Sequence, residues 1–203
     1  MDLRGLLLLA LAAGGLAWVW EQAIGSGVST STDSSAPSSP SDYGYPSLPT
    51  GDSTMGDAFQ TALGLIQGFE SCSLHAYPDP PGQTKTYSIG WGHLIRPGDP
   101  YTPNSTISQA EADGLLQQDV MGAHNCVVGA IPPGLDANQL AALISFTYNV
   151  GCGGFRSSTL LAKIQAGDLA GAAAEFPKWV HAGGVVNSDL QARREQEQSI
   201  FQA

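Results

Sequence analysis

A change of composition near residue 57 divides this chain and confines folding to the residues after it. Of the 32 residues from Gly25 to Gly56, 23 are Ser, Thr, Pro or Gly. Such a stretch has too little apolar side chain to offset the entropy of ordering it. It is expected to act as a disordered linker over 25–56, with a root-mean-square reach of roughly 30 Å. Asp33, Asp42 and Asp52 keep it solvated. Residues 57–203 are long enough for one domain with a real core.

Ahead of the linker, Gly5 to Trp20 carries no charge, with Arg4 before it and Glu21 after it. Crossing a bilayer takes about 20 apolar residues. The segment 1–24 reaches that length only if Ala23 and Ile24 are included and Glu21 and Gln22 snorkel. Trp18 and Trp20 suit a membrane interface. Three readings fit: a retained anchor, a signal-anchor that leaves the membrane, or a signal peptide cut near the small-x-small run Ala10-Leu11-Ala12. Asp2 cancels Arg4, which makes a poor start for a cleaved signal. All three export the rest of the chain, so the N-terminal segment brings the membrane in as a partner.

The net charge is -10. No basic patch is present, which excludes nucleic acid as a partner. Charge-driven capture on an anionic wall or membrane is excluded as well.

Past residue 57 the apolar pattern is mainly helical. Phe59, Leu63, Ile66 and Phe69 form a stripe that ends at Glu70. Leu74 to Tyr77 and Thr84 to Ile89 read as short strands around the turn Pro78-Asp79-Pro80-Pro81-Gly82. Ser108-Gln109-Ala110-Glu111 has the form of a capping box and predicts a helix through about His124. Asp136 to Gln139 repeats that logic before Leu140, Leu143, Ile144 and Tyr148. Further helices are predicted over Leu160 to Ile164, Leu169 to Phe176 and Leu190 to Phe201. The expected class is α+β and mostly helical, with one small antiparallel sheet near the start of the domain.

The chemistry gathers in the first third of the domain. Glu70 closes an apolar helix, where the negative end of the macrodipole and the neighbours Phe69 and Leu74 favour a protonated carboxyl. Asp79 sits in a proline turn, where solvation is expected to keep it ionised. Ser88 shares a strand face with Thr84 and Thr86, and a hydroxyl facing the cleft would orient a water beside Asp79. Gly90 and Gly92 allow a tight bend, or a close backbone approach to a ligand, around Trp91. His93 either bonds the Glu70 region or is a structural histidine. Taken singly, each of these residues has an ordinary explanation. Together they form the pair of unlike carboxylates that acid-assisted cleavage of a glycosidic bond requires.

In this order the residues resemble the phage-type lysozymes (endolysins) of glycoside hydrolase family 24, in their lambdoid branch. Glu70 and Asp79 match the family's Glu and the Asp nine residues on. Ser88-Ile89-Gly90-Trp91-Gly92-His93 matches its Thr-Ile-Gly-x-Gly-His stretch, with Ser in place of Thr. The gap from Asp79 to Ser88 is about three residues longer than in familiar members. The runs Gln139 to Phe146, Asn149 to Phe155, Ser158 to Leu161, Trp179 to Gly184 and Arg193-Arg194-Glu195 continue the likeness to the end of the chain. The resemblance implies a lysozyme-like fold over 57–203. It also implies hydrolysis of the β-1,4 bond between N-acetylmuramic acid and N-acetylglucosamine in peptidoglycan. Glu70 would be the proton donor, with Asp79 and Ser88 positioning or activating the attacking water. No cofactor and no metal are called for. Phe146, Tyr148 and Phe155 are expected to be core more than sugar contacts. Trp179 and His181 would border the cleft, and Asn187 and Arg193 are weaker candidates outside the catalytic set.

Two biological settings fit such an enzyme: lysis of the host, or a virion-borne enzyme that opens the wall at infection. The non-catalytic alternative, a wall-binding or virion structural protein on a lysozyme scaffold, predicts loss of the acid or its turn partner, and both are present. Three cysteines in an exported chain suggest one bridge and one spare thiol. Cys126 and Cys152 lie in or beside two adjacent predicted helices and are the candidates for the bridge. Cys72, two residues after Glu70, is then the spare, where a disulfide or adduct would disturb the site.

Overall fold

Helix α1 (Ser53–Phe69) begins inside the range predicted as linker. Met55 packs against the core and draws residues 53–56 into the helix, so the composition signal overshoots the boundary. This computed structural model describes residues 53–79 and 85–203. The apolar segment 5–20, most of the linker and the tip of the proline turn (80–84) lie outside the described residues.

After α1 the chain forms a three-stranded antiparallel sheet in the order β1 (Ser73–Pro78), β2 (Tyr87–Gly90), β3 (His93–Leu94). Its register sets Tyr77 opposite Ser88 and Ser88 opposite Leu94. Then come α2 (Gln109–Val128), α3 (Ala137–Arg156), α4 (Thr159–Gln165) and α5 (Leu169–Ala173). A 3-10 turn (Phe176–Lys178), the hairpin β4 (His181–Ala182) and β5 (Val185–Val186), and α6 (Ser188–Phe201) complete the domain. Both capping boxes form as predicted, Ser108 with Glu111 and Asp136 with Gln139. The single helix expected over Leu169 to Phe176 is instead α5 followed by the 3-10 turn. Pro177 has no N–H to carry an α-helical ladder onward.

Helix α3 is the centre of the helical lobe. Every residue from Leu140 to Thr147 is buried. A helix apolar on all sides must be covered on all sides, and α1, α2 and α6 all pack on it. Phe146 meets Phe176 and Trp179 edge-on at centroid distances of 5.5 and 5.3 Å. Gly151 (φ 78) interrupts the helical path of α3 where a side chain would be strained. Just beyond it, Cys152 is bonded to Cys126 of α2, the bridge the sequence suggested.

A second, smaller cluster of Ile89, Ile107, Ala112 and Leu115 fastens the sheet to α2. Gly90 (φ 66) belongs to this contact, since a Cβ there would lie 3.3 Å from Ala112. The close approach it permits is to a helix, not to a ligand. Trp91 touches both clusters. Its indole N–H donates to Asp113 at 2.7 Å, and its carbonyl accepts from the Tyr148 hydroxyl at 3.2 Å. These bonds join the sheet to α2 and α3.

His93 on β3 settles into a structural role. Its Nδ1 lies 2.9 Å from Asp119 of α2 and its Nε2 lies 3.6 Å from Asp99. Burial works against its charge, but the Asp119 and Asp99 carboxylates more than compensate and raise its pKa above the ordinary value of 6.5.

Two stability measurements test these ties. Closing a 26-residue loop stabilises by about 3.5 kcal/mol in the chain-entropy account. C126S/C152S should therefore unfold about 10 °C below the parent in a thermal melt. A group whose pKa is raised on folding stabilises fully below its unfolded pKa and loses that contribution as pH rises through its folded value. D119N should thus cost about 1.5–3 kcal/mol below about pH 6, where the charge-assisted bond is intact, and little well above the folded pKa. Denaturant titrations at two pH values check this, and an equal cost at both would contradict it.

Candidate active site

Glu70 sits one residue past α1 and continues its hydrogen bonding, with the backbone N–H donating to the Ile66 carbonyl at 2.9 Å. The helix therefore aims the carboxylate rather than leaving it on a loose loop. The side chain is 18% exposed. Its surround differs from the apolar one expected from sequence. Arg193 of α6 reaches across and donates from Nη1 to Glu70 Oε1 at 2.7 Å. The guanidinium is buried between the rings of Phe69 and Tyr148, 5.5 and 6.0 Å from their centroids. Burial opposes its charge, and the carboxylates of Glu197 and Glu70 more than restore it, so Arg193 titrates above the ordinary arginine value. Arg193 stood only among the weaker candidates, and the structure puts it in direct contact with the predicted acid.

Asp79 follows Pro78 at the end of β1. Its N–H donates to the Thr86 carbonyl at 3.0 Å, and the Thr86 hydroxyl donates to the Asp79 carbonyl. The Ser88 hydroxyl, fully buried on β2, donates to Asp79 Oδ2 at 2.7 Å. The hydroxyl expected to orient a water beside Asp79 bonds the carboxylate itself. The expectation that Asp79 is well solvated fails. It is half-buried, and loss of solvent raises its carboxyl above the ordinary range, with the Ser88 bond pulling the other way. A raised carboxyl is the better proton acceptor.

Tyr77 on β1 is near enough to both acids to feel their charges. Burial pushes its phenol up to about 12, and the charges of Asp79 and then Glu70 add to the effect. Tyr148 from α3 titrates well above 10, first through burial and then through Asp119 and Glu70. Both phenols therefore remain O–H donors at any ordinary pH. The site consequently has a helix-end carboxylate backed by a cation on one side. A strand-end carboxylate held by a hydroxyl stands on the other, with a neutral phenol near both.

The other candidates separate. His93 is committed to Asp119 and Asp99 and does not bond Glu70. Phe146 and Phe155 are fully buried, as expected of core. Trp179 packs on Phe146, and His181 is exposed on β4. Asn187 caps α6 and so fixes the start of the helix that carries Arg193. Cys72 is a free thiol whose Sγ lies 3.7 Å from the Gln109 amide nitrogen. Partial burial raises its pKa, which lowers the thiolate fraction that reactivity needs. Among the described residues no group of His, Cys, Asp or Glu could hold a metal, and no helix is long and apolar enough to cross a membrane.

The chain is similar to known proteins. The phage lysozyme family matches residues 67–197. The endolysin of Bacillus phage PZA is 42% identical over 142 residues, which are 70% of this chain and 54% of that protein, so the chain spans about half the length of this relative. The SAR-endolysin of Bacteriophage PS119 is 34% identical over 140 residues, 69% of this chain and 80% of that one. The muramidase domain of SpmX from Asticaccaulis excentricus superposes with a TM-score of 0.62 at 27% identity, covering 71% of this chain and 96% of that domain. With the family match spanning the sheet, both carboxylates and Arg193, the chain belongs to the phage lysozyme family.

Proposed function

We propose that this chain hydrolyses the β-1,4 bond between N-acetylmuramic acid and N-acetylglucosamine in peptidoglycan. The observation that carries the reading is the pair of carboxylates held in unlike ways, Glu70 against Arg193 and Asp79 against Ser88, with the Tyr77 phenol under the charge of both. Glu70 is the proton donor. Once it gives up its proton to the leaving sugar oxygen, the carboxylate formed stands 2.7 Å from a fixed cation that stabilises it. Asp79 is the base. Its raised carboxyl takes a proton from water, and Ser88 holds its other face so that the water is approached from one direction. Tyr77 serves as a neutral donor in a site that must admit sugar hydroxyls, while the Tyr148 hydroxyl is committed to the Trp91 carbonyl.

Host lysis is the setting supported by the relatives, which are named as endolysins. The cysteine bridge supports an oxidising, exported location. The apolar segment 1–24 would supply export or anchorage, and the linker would let the domain range over the wall. The Arg193-Arg194-Glu195 run supports a place in the lambdoid branch.

E70Q should lower lysis of a peptidoglycan suspension by roughly 10²–10⁴-fold while its circular dichroism stays native. S88A, which frees the Asp79 carboxylate to turn, should lower it roughly ten- to hundredfold. Near-parental turbidity loss with E70Q would remove Glu70 from the reaction, and S88A at full rate would show that Asp79 needs no orienting hydroxyl.

A further inference from the structure

The acid's cation is itself held by a second carboxylate that the reaction does not touch. Glu197 of α6 is fully buried. Its Oε1 accepts from Ser145 Oγ at 2.7 Å, Arg194 Nη2 at 3.1 Å and Arg193 Nε at 3.2 Å. Arg194 Nε lies 2.8 Å from Oε2, close but poorly aligned for a hydrogen bond. Each nitrogen of the Arg193 guanidinium has its own acceptor: Nη1 has Glu70, Nη2 has the Ser145 carbonyl and Nε has Glu197. The cation is therefore a strut with a fixed orientation. The formal charges of Glu70, Arg193, Arg194 and Glu197 cancel. Burying charged pairs is costly, and apolar replacements of similar shape are commonly as stable or more so. Stability alone thus gives a weak reason for this cluster to lie behind the site.

We infer that Glu197 is a positioning residue for the acid: through Nε it fixes the Arg193 guanidinium, whose Nη1 holds Glu70 toward the sugar bond. This rests on Glu70 being the proton donor. Glu197 also offsets part of the positive charge that Arg193 presents to Glu70. The other groups facing the pair are Tyr77 and Asp79 from β1, and Tyr148 from α3 with Asp119 of α2 acting on it. Glu175 and Lys178, next to the turn that packs on α6, pair with each other at 2.7 Å and do not alter the balance.

The test is the rate of wall lysis against pH for the parent, E197Q and S145A, each checked for native circular dichroism. E197Q keeps the side-chain length and removes the charge. The alkaline limb of its profile should fall by about one pH unit, the order of effect of removing a unit charge one guanidinium away at an effective dielectric of about 20. S145A removes a donor to the same carboxylate but keeps its charge, so its limb should stay at the parental pH whatever its rate. If E197Q does not fold, R194Q/E197Q keeps the buried charge balanced and should show a smaller fall in the same direction. A limb at the parental pH in the folded variant, with only a uniform drop in rate, would make Glu197 merely structural and overturn the inference. A parent that lyses no wall at any pH, or an E70Q that lyses normally, would instead sink the activity itself.

Discussion

The contact between Glu70 and Arg193 is the constraint from which the rest of the site takes its shape. It spans 123 residues of sequence and joins the end of α1 to the middle of α6. For the ends of that bond to meet, α1 and α6 must both pack on α3, which is why α3 is apolar on every side. The bond must also be dry enough to hold and wet enough to react. The guanidinium is 4% exposed and the carboxylate 18% exposed, a gradient that points the reactive group outward.

The opposing wall is built differently. Asp79 depends on a short sheet with little core of its own. The cluster of Ile89, Ile107, Ala112 and Leu115 fastens that sheet to α2, and Trp91 bridges to the helical lobe. The His93 contacts with Asp119 and Asp99 add an electrostatic tie at the sheet's far edge. One carboxylate is thus fixed by helix packing and the other by strand register. Their environments diverge because their scaffolds do.

Much of this was legible in local patterns. The helix stripe ending at Glu70 and the two capping boxes follow from residue types at short spacing, and the cysteine bridge from the number of cysteines and the adjacent helices they lie in or beside. The hairpin of β4 and β5 had a signal too, Gly183-Gly184 between His181-Ala182 and Val185-Val186, but strands of two residues are too short for alternation to show. The linker boundary slipped because a run rich in Ser and Gly also contained Met55, and only the core reveals that Met55 has something to pack against.

Three things were decided by the tertiary structure alone. Arg193 stood among the weaker candidates on a polar helix, and nothing in the local sequence singles out Glu197. Their burial against Ser145 depends on the angle at which α6 crosses α3, which no short window of sequence encodes. Asp79 reads as a solvated turn residue, and its loss of solvent appears only once β1 and β2 are packed. The sequence by itself determined the class of the fold and the elements that carry Glu70, Asp79 and Ser88, because these rest on local propensity and spacing. The charge environment of each acid was settled only by folding, because electrostatic neighbours and lost solvent are properties of distance in space.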